Sequence, residues 1–193
     1  MAPALTIVLI AMATCAGVLT FRREEEAQGK GRWALVRSIA YWLFTVAVAF
    51  ELAAGALWDL LRIEFVRVIF ARLGYPLYLL TILGAWRIPG ALALVVPRFP
   101  RLKEWAYAGA FFSYTGAAAS HVLAGNGQGQ WVGPLIFSAF TLISWALRPA
   151  SRRSPAAAAD AESRVAPWAV AIGMVAAMLV VAYLTLPKGG PPQ

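Results

Sequence analysis

Cysteine, histidine and charge are all scarce in this chain: 193 residues contain one cysteine, one histidine and nine acidic residues. A lone Cys15 allows neither an intramolecular disulfide nor a Cys-x-x-Cys relay, so it reads as a small apolar filler. One histidine, with carboxylates scattered along the chain, gives no metal-ligand spacing. No Gly-rich phosphate loop occurs. Only 13% of residues are charged, about half the share of roughly 25% typical of soluble domains. The missing charge excludes an ordinary soluble domain.

What fills the chain instead is apolar sequence. Hydrophobic residues make up 61% of it, and mean hydropathy is +0.68. They fall in blocks: Ala4 to Thr20, Ile39 to Trp58, Pro76 to Val96, Trp105 to Ala124, Trp131 to Leu147 and Ala166 to Leu186. A membrane span needs about 20 apolar residues, and lipid-embedded backbone must satisfy its own hydrogen bonds, which favours helices. Trp33, Trp58, Trp105, Trp131 and Trp168 lie near block ends, where indole prefers the headgroup region. The expected fold is all-α, a polytopic membrane protein with six transmembrane helices. The first block is expected to be a retained helix rather than a signal peptide, because "MAPALT" lacks a basic leader and "FRREEE" follows the apolar run.

The net charge of +8 does not point to nucleic acid, because the basic residues sit in short runs between blocks. Twelve lie in loops after blocks one, three and five, and four on the other side, namely Arg62, Arg67, Arg72 and Lys188. Basic residues concentrate on the cytoplasmic side, which predicts an inner-membrane protein with both termini in the periplasm. The short "PRFPRLKE" and "GNGQGQ" connections make blocks three, four and five antiparallel neighbours. The Ala/Pro/Ser-rich segment after Leu147 reads as a flexible linker. The expected organisation is an N-terminal helix and charged loop over 1–38, a four-helix core over 39–148, a linker over 149–165 and a C-terminal helix over 166–193. The segment "DLLRIEFVRVIFARLG" is expected to form an interfacial helix, with Asp59/Arg62 and Glu64/Arg67 spaced for local ion pairs.

Three ionisable residues fall inside the blocks: Glu51, Arg87 and His121. Counting from the basic ends places Arg87 at roughly 14 Å depth, Glu51 at about 18 Å and His121 at about 24 Å. Glu51 shares its helical face with Ala47, Ala54 and Gly55, and Arg87 with Gly84, Gly90 and Ala91. Small residues mark close helix packing, so all three groups are expected to face inward, with Glu51 neutralising Arg87. His121 lies near the end of its block, flanked by Ala117, Ala118, Ala124 and Gly125. Pro89 withholds a donor from the Ala85 carbonyl and is placed to kink the helix beside Arg87. Tyr114 stands with Glu51, Arg87 and His121 as a candidate for an intramembrane polar site. Ser138, Thr141 and Ser144 recur every third position and are expected to bond to neighbouring helices. No residue carries a catalytic signature.

Residues 74 to 126 resemble the DoxX-like family of small bacterial membrane proteins. The matching strings are Gly-Tyr-Pro before the second core helix, Arg87 after Leu-Gly, Pro-Arg-Phe-Pro, Lys-Glu-Trp-Ala-Tyr-Ala-Gly, and Gly-Ala followed by Ser-His. With Glu51 to Gly55 the likeness covers about half the chain. The resemblance implies a four-helix membrane bundle, with blocks one and six as additions. It also implies a link to thiosulfate and quinone chemistry, although relatives often carry acidic residues where this chain has Ser113 and Asn126. Three functional readings follow. The first is an accessory subunit or partner of a redox or stress-related membrane system. The second is a quinone- or lipid-binding protein or enzyme with a pocket around Glu51, Arg87, Tyr114 and His121. The third is an assembly factor for another membrane protein.

Overall fold

The computed structural model describes residues 32–96, 99–149 and 166–186, whose regular structure is all helical, with no strand among them. The helices are α1 (Arg32–Leu61), α2 (Glu64–Arg72), α3 (Tyr78–Val95), α4 (Pro100–Leu123), α5 (Gln128–Leu147) and α6 (Ala166–Leu184). The first apolar block, Cys15 and most of the Ala/Pro/Ser-rich segment lie outside the described residues. By length and composition, α1 over Ala34–Leu61, α3 and α5 can each cross a membrane. At 24 residues α4 is also long, but it opens on Arg101, Lys103 and Glu104.

α1 is the hub of the bundle, packing chiefly against α3 and also against α5 and α6, while α4 lies on α5 and α3. Tyr41, Val46, Val48 and Ala49 of α1 are fully buried, as are Leu80, Ala91 and Leu94 of α3. α6 is separate in sequence but packed in space, with Met178 and Ala182 also fully buried. Aromatic contacts extend the core, Phe137 lying 5.7 Å from Tyr114 and 5.8 Å from Phe140.

The contact of α1 with α3 has a defined register. A Cβ on Gly84 would sit 3.1 Å from the Ala56 carbonyl and 2.8 Å from Leu60, whereas one on Gly90 would reach Leu52 at 3.9 Å. Gly84 is therefore level with Ala56 and Leu60, and Gly90 with Leu52. Small residues let the two backbones approach closely here, as they do at membrane helix interfaces generally.

Helix boundaries differ from expectation in instructive ways. α1 runs past Trp58 to Leu61, which places Asp59 inside the helix rather than in an interfacial segment. The chain turns at Arg62, whose φ of 48° is left-handed, and only then begins α2. Arg62 donates to the Thr81 hydroxyl at 2.9 Å instead of pairing with Asp59. α3 passes through Pro89 without interruption.

At the end of the bundle formed by the α1 start, the α3 and α5 ends and the α4 start, basic side chains meet backbone carbonyls. Lys103 is fully buried and donates to Ala93 O at 2.6 Å, to Leu94 O at 3.0 Å and to Val96 O. Arg37 donates to Leu147 O at 3.3 Å and to Arg148 O at 3.1 Å. The last carbonyls of a helix have no intrahelical partner and carry the negative end of its dipole. Lysine and arginine supply both donor and charge at the ends of α3 and α5. Arg148 is buried, pairs with Glu104 at 2.5 Å and lies 5.0 Å over the Tyr107 ring.

Candidate functional site

Arg87 occupies the middle of α3, and its guanidinium lies against Gly55 of α1. A Cβ on Gly55 would land on Nη1 and approach Cζ to 3.1 Å. Gly55 is thus a cradle for the side chain, since even alanine would displace it. Glu51, Gly55 and Asp59 are spaced i, i+4 and i+8, one row on one helical face. The two carboxylates are about 12 Å apart along the axis, with the guanidinium over the glycine between them.

The ion pair forms with Asp59, whose Oδ2 is 3.1 Å from Nη1. This corrects the sequence-based expectation that Glu51 holds Arg87. Backbone depths of Glu51 and Arg87 do agree, but an arginine side chain spans more than one turn and reaches along the axis toward the helix end. Glu51 remains close enough to act on the guanidinium electrostatically, yet its own Oε2 accepts a hydrogen bond from the Tyr114 hydroxyl of α4. Asp59 is 4% exposed and Arg87 21% exposed in their side chains. Arg87 has five N–H donors, and its Nε is buried without a hydrogen-bond partner.

The remaining exposure of Arg87 opens on a cleft of about 360 Å³ between α3 and α4. Its walls are apolar except for Arg87 and Ser113, and Gly90 and Gly109 leave it room. Trp86 and Trp105 flank it, 73% and 79% exposed. Glu51, Tyr114 and His121 do not line it.

Of the four candidates, Glu51, Arg87 and Tyr114 come together and His121 does not. His121 lies two turns beyond Tyr114 on α4, where its Nδ1 meets Asn126 Nδ2 at 2.9 Å. The residue missed is Asp59; Ser113, a candidate to line a pocket from the sequence, does line the cleft. Asp59 was detectable, because it continues the Glu51–Gly55 row by one more turn. A second polar group also emerges nearer the basic end: Ser144 lies 2.7 Å from Thr45 Oγ1 and 2.8 Å from the Tyr107 hydroxyl. It joins α1, α4 and α5, as expected of Ser144, whereas Thr141 bonds back to Phe137 O of its own helix. No cluster of three or more His, Cys, Asp or Glu side chains suited to a metal occurs among the described residues.

A helical bundle with apolar, membrane-length helices and an ion network inside them is a membrane protein. The sequence pattern of the DoxX-like family matches residues 43–144, just over half the chain and spanning α1 to α5, and the chain belongs to that family. Glu51, Asp59, Arg87 and Ser113 all lie within the matched region, and α6 outside it. No curated protein and no solved structure matches the chain.

Proposed function

We propose that this DoxX-like protein holds a membrane-borne amphiphile, of the quinone or lipid class, in the lateral cleft at Arg87. In this reading it serves as a ligand-bearing accessory partner of a redox or stress-related membrane system. The observation that carries it is the cleft of about 360 Å³ whose wall is apolar apart from Arg87 and Ser113. Ligand sites are concave, largely apolar and a few hundred Å³ or more in volume, with a small number of polar groups to orient the ligand. Glu51, Asp59 and Tyr114 then act as positioning groups behind Arg87. The proposal includes a multi-pass placement in the inner membrane with the Arg37–Lys103–Arg148 end cytoplasmic and both termini outside.

A purely structural accessory role is the second reading, favoured by Glu51 and Tyr114 being bonded to each other away from the cleft. Gly109→Leu separates the two. Gly109 lines the cleft and a Cβ there meets nothing within 4 Å, so leucine narrows the cleft from a position with room for a side chain. Protein purified in native nanodiscs is expected to retain an amphiphile enriched over bulk lipid, and Gly109→Leu to lose it at an unchanged melting temperature. No enrichment in the wild type would leave the structural reading.

A further inference from the structure

The charges around Arg87 narrow the chemistry of what the cleft can take. We infer that the cleft selects an uncharged amphiphile whose head group presents a carbonyl oxygen, as a fatty-acyl ester does; this rests on the cleft being a ligand site, as proposed above.

Arg87 is the charged group in the cleft wall. A guanidinium only donates hydrogen bonds, so the group that meets it must accept. Its positive charge is already answered by Asp59 at 3.1 Å, and Glu51 also acts on it from the same face of α1. A cation already paired with a carboxylate leaves no charge for an anionic head group to neutralise. A phosphate or carboxylate entering the cleft would add an unmatched negative charge beside Asp59 in a low-dielectric setting, where like charges repel strongly. A cationic head group would meet the guanidinium first. A neutral acceptor avoids both penalties.

The opposite wall agrees. Ser113 of α4 lines the same cleft, and a hydroxyl can donate to a carbonyl or accept from a neighbouring hydroxyl. An acidic side chain there would close the charge around Arg87 further, whereas serine leaves a neutral polar group. The rest of the wall, including Leu83, Pro89 and Leu102, is apolar and suits an alkyl chain. Entry is lateral, past Trp86 and Trp105, so the bilayer is the source.

Three probes that share one chain test the inference on the full protein in phosphatidylcholine nanodiscs. They are monopalmitoylglycerol, the matching hexadecyl glycerol ether, and palmitoyl lysophosphatidate. Bound probe is counted by native mass spectrometry, with Gly109→Leu as the narrowed-cleft control. The ester is expected to bind saturably to the wild type and not to Gly109→Leu. The ether, lacking the carbonyl, should bind several-fold more weakly, and lysophosphatidate at least ten-fold more weakly. Lysophosphatidate binding as tightly as the ester would overturn the inference while leaving the cleft a ligand site. Equal binding of ester and ether would overturn the carbonyl requirement. If no probe binds saturably and Gly109→Leu changes nothing, both this inference and the ligand-binding reading fall.

Discussion

Lys103 and Arg87 are both cations set among apolar residues, and the bundle uses them differently. Lys103 sits in the first turn of α4, fully buried, with its ammonium directed at carbonyls 93, 94 and 96. Its partners are groups that the end of α3 leaves exposed in any case. Arg87 lies mid-helix, where every backbone carbonyl nearby has a helical partner or a proline to account for its lack. It must find a side chain on another helix, and it finds Asp59. The lysine closes a helix end; the arginine ties two helices together and still opens on a cleft. Position along the helix, more than residue type, decides which task a buried cation takes.

Breaking each arrangement should give effects of different size and kind. Asp59→Asn strands a guanidinium that is mostly buried, and losing one partner of such a pair costs about 3–5 kcal/mol. Melting in detergent should show the largest drop of this set, together with loss of any bound amphiphile. Lys103→Met removes the donor from three carbonyls at the end of α3. Hydrogen bonds to a charged group contribute about 1.5–3 kcal/mol, so a clear but smaller drop is expected. Folded Lys103→Met protein should keep its cleft ligand, which would sharpen the contrast with Asp59→Asn.

Gly84→Ala tests the helix approach that brings both partners together. Its Cβ would crowd Leu60 and the Ala56 carbonyl, and overpacking of this kind costs about 1–3 kcal/mol. The effect should fall on α1–α3 packing and spare the Arg148–Glu104 end, as read by cysteine crosslinking at each end. Tyr114→Phe should have the smallest effect. It removes one hydrogen bond to Glu51, against the three lost in Lys103→Met, at a cost of about 1 kcal/mol. Solvent or Arg87 can take up part of the loss.

Much of this was legible before any coordinates. Apolar block length identified the membrane class, and the strings around Arg87 identified the family. The α3, α4 and α5 blocks lie within a few residues of the helices observed. Small residues beside Arg87 pointed to the α1–α3 contact, where its guanidinium lies against Gly55, whereas Glu51 bonds to Tyr114 of α4. The counterion was not legible, for two physical reasons. Charge density around Arg62 made the stretch from Asp59 onward look like one interfacial helix, whereas α1 carries Asp59 inside it and ends at Leu61. Depth was also counted between backbones, and arginine's length lets it pair a full turn away. Lys103 and Arg148 read as loop charges because capping of a helix end by a residue from the next helix leaves no periodic signal. The cleft depends on the spacing of α3 and α4, which Gly90, Gly109 and Ser113 only hint at.

The pairing of Arg87 with Asp59 across Gly55 is the hinge of the account, and a pair of mutant cycles addresses it directly. One cycle combines Arg87→Met with Asp59→Asn, the other Arg87→Met with Glu51→Gln, each followed by unfolding in mixed micelles. Sites that do not interact add to within about 0.3–0.5 kcal/mol, whereas partners in one ion network couple by about 0.5–3 kcal/mol. The account predicts that the Asp59 cycle shows the larger coupling, with the double mutant recovering part of the stability lost by either single change. Additivity in the Asp59 cycle with strong coupling in the Glu51 cycle would contradict it and return Arg87 to Glu51.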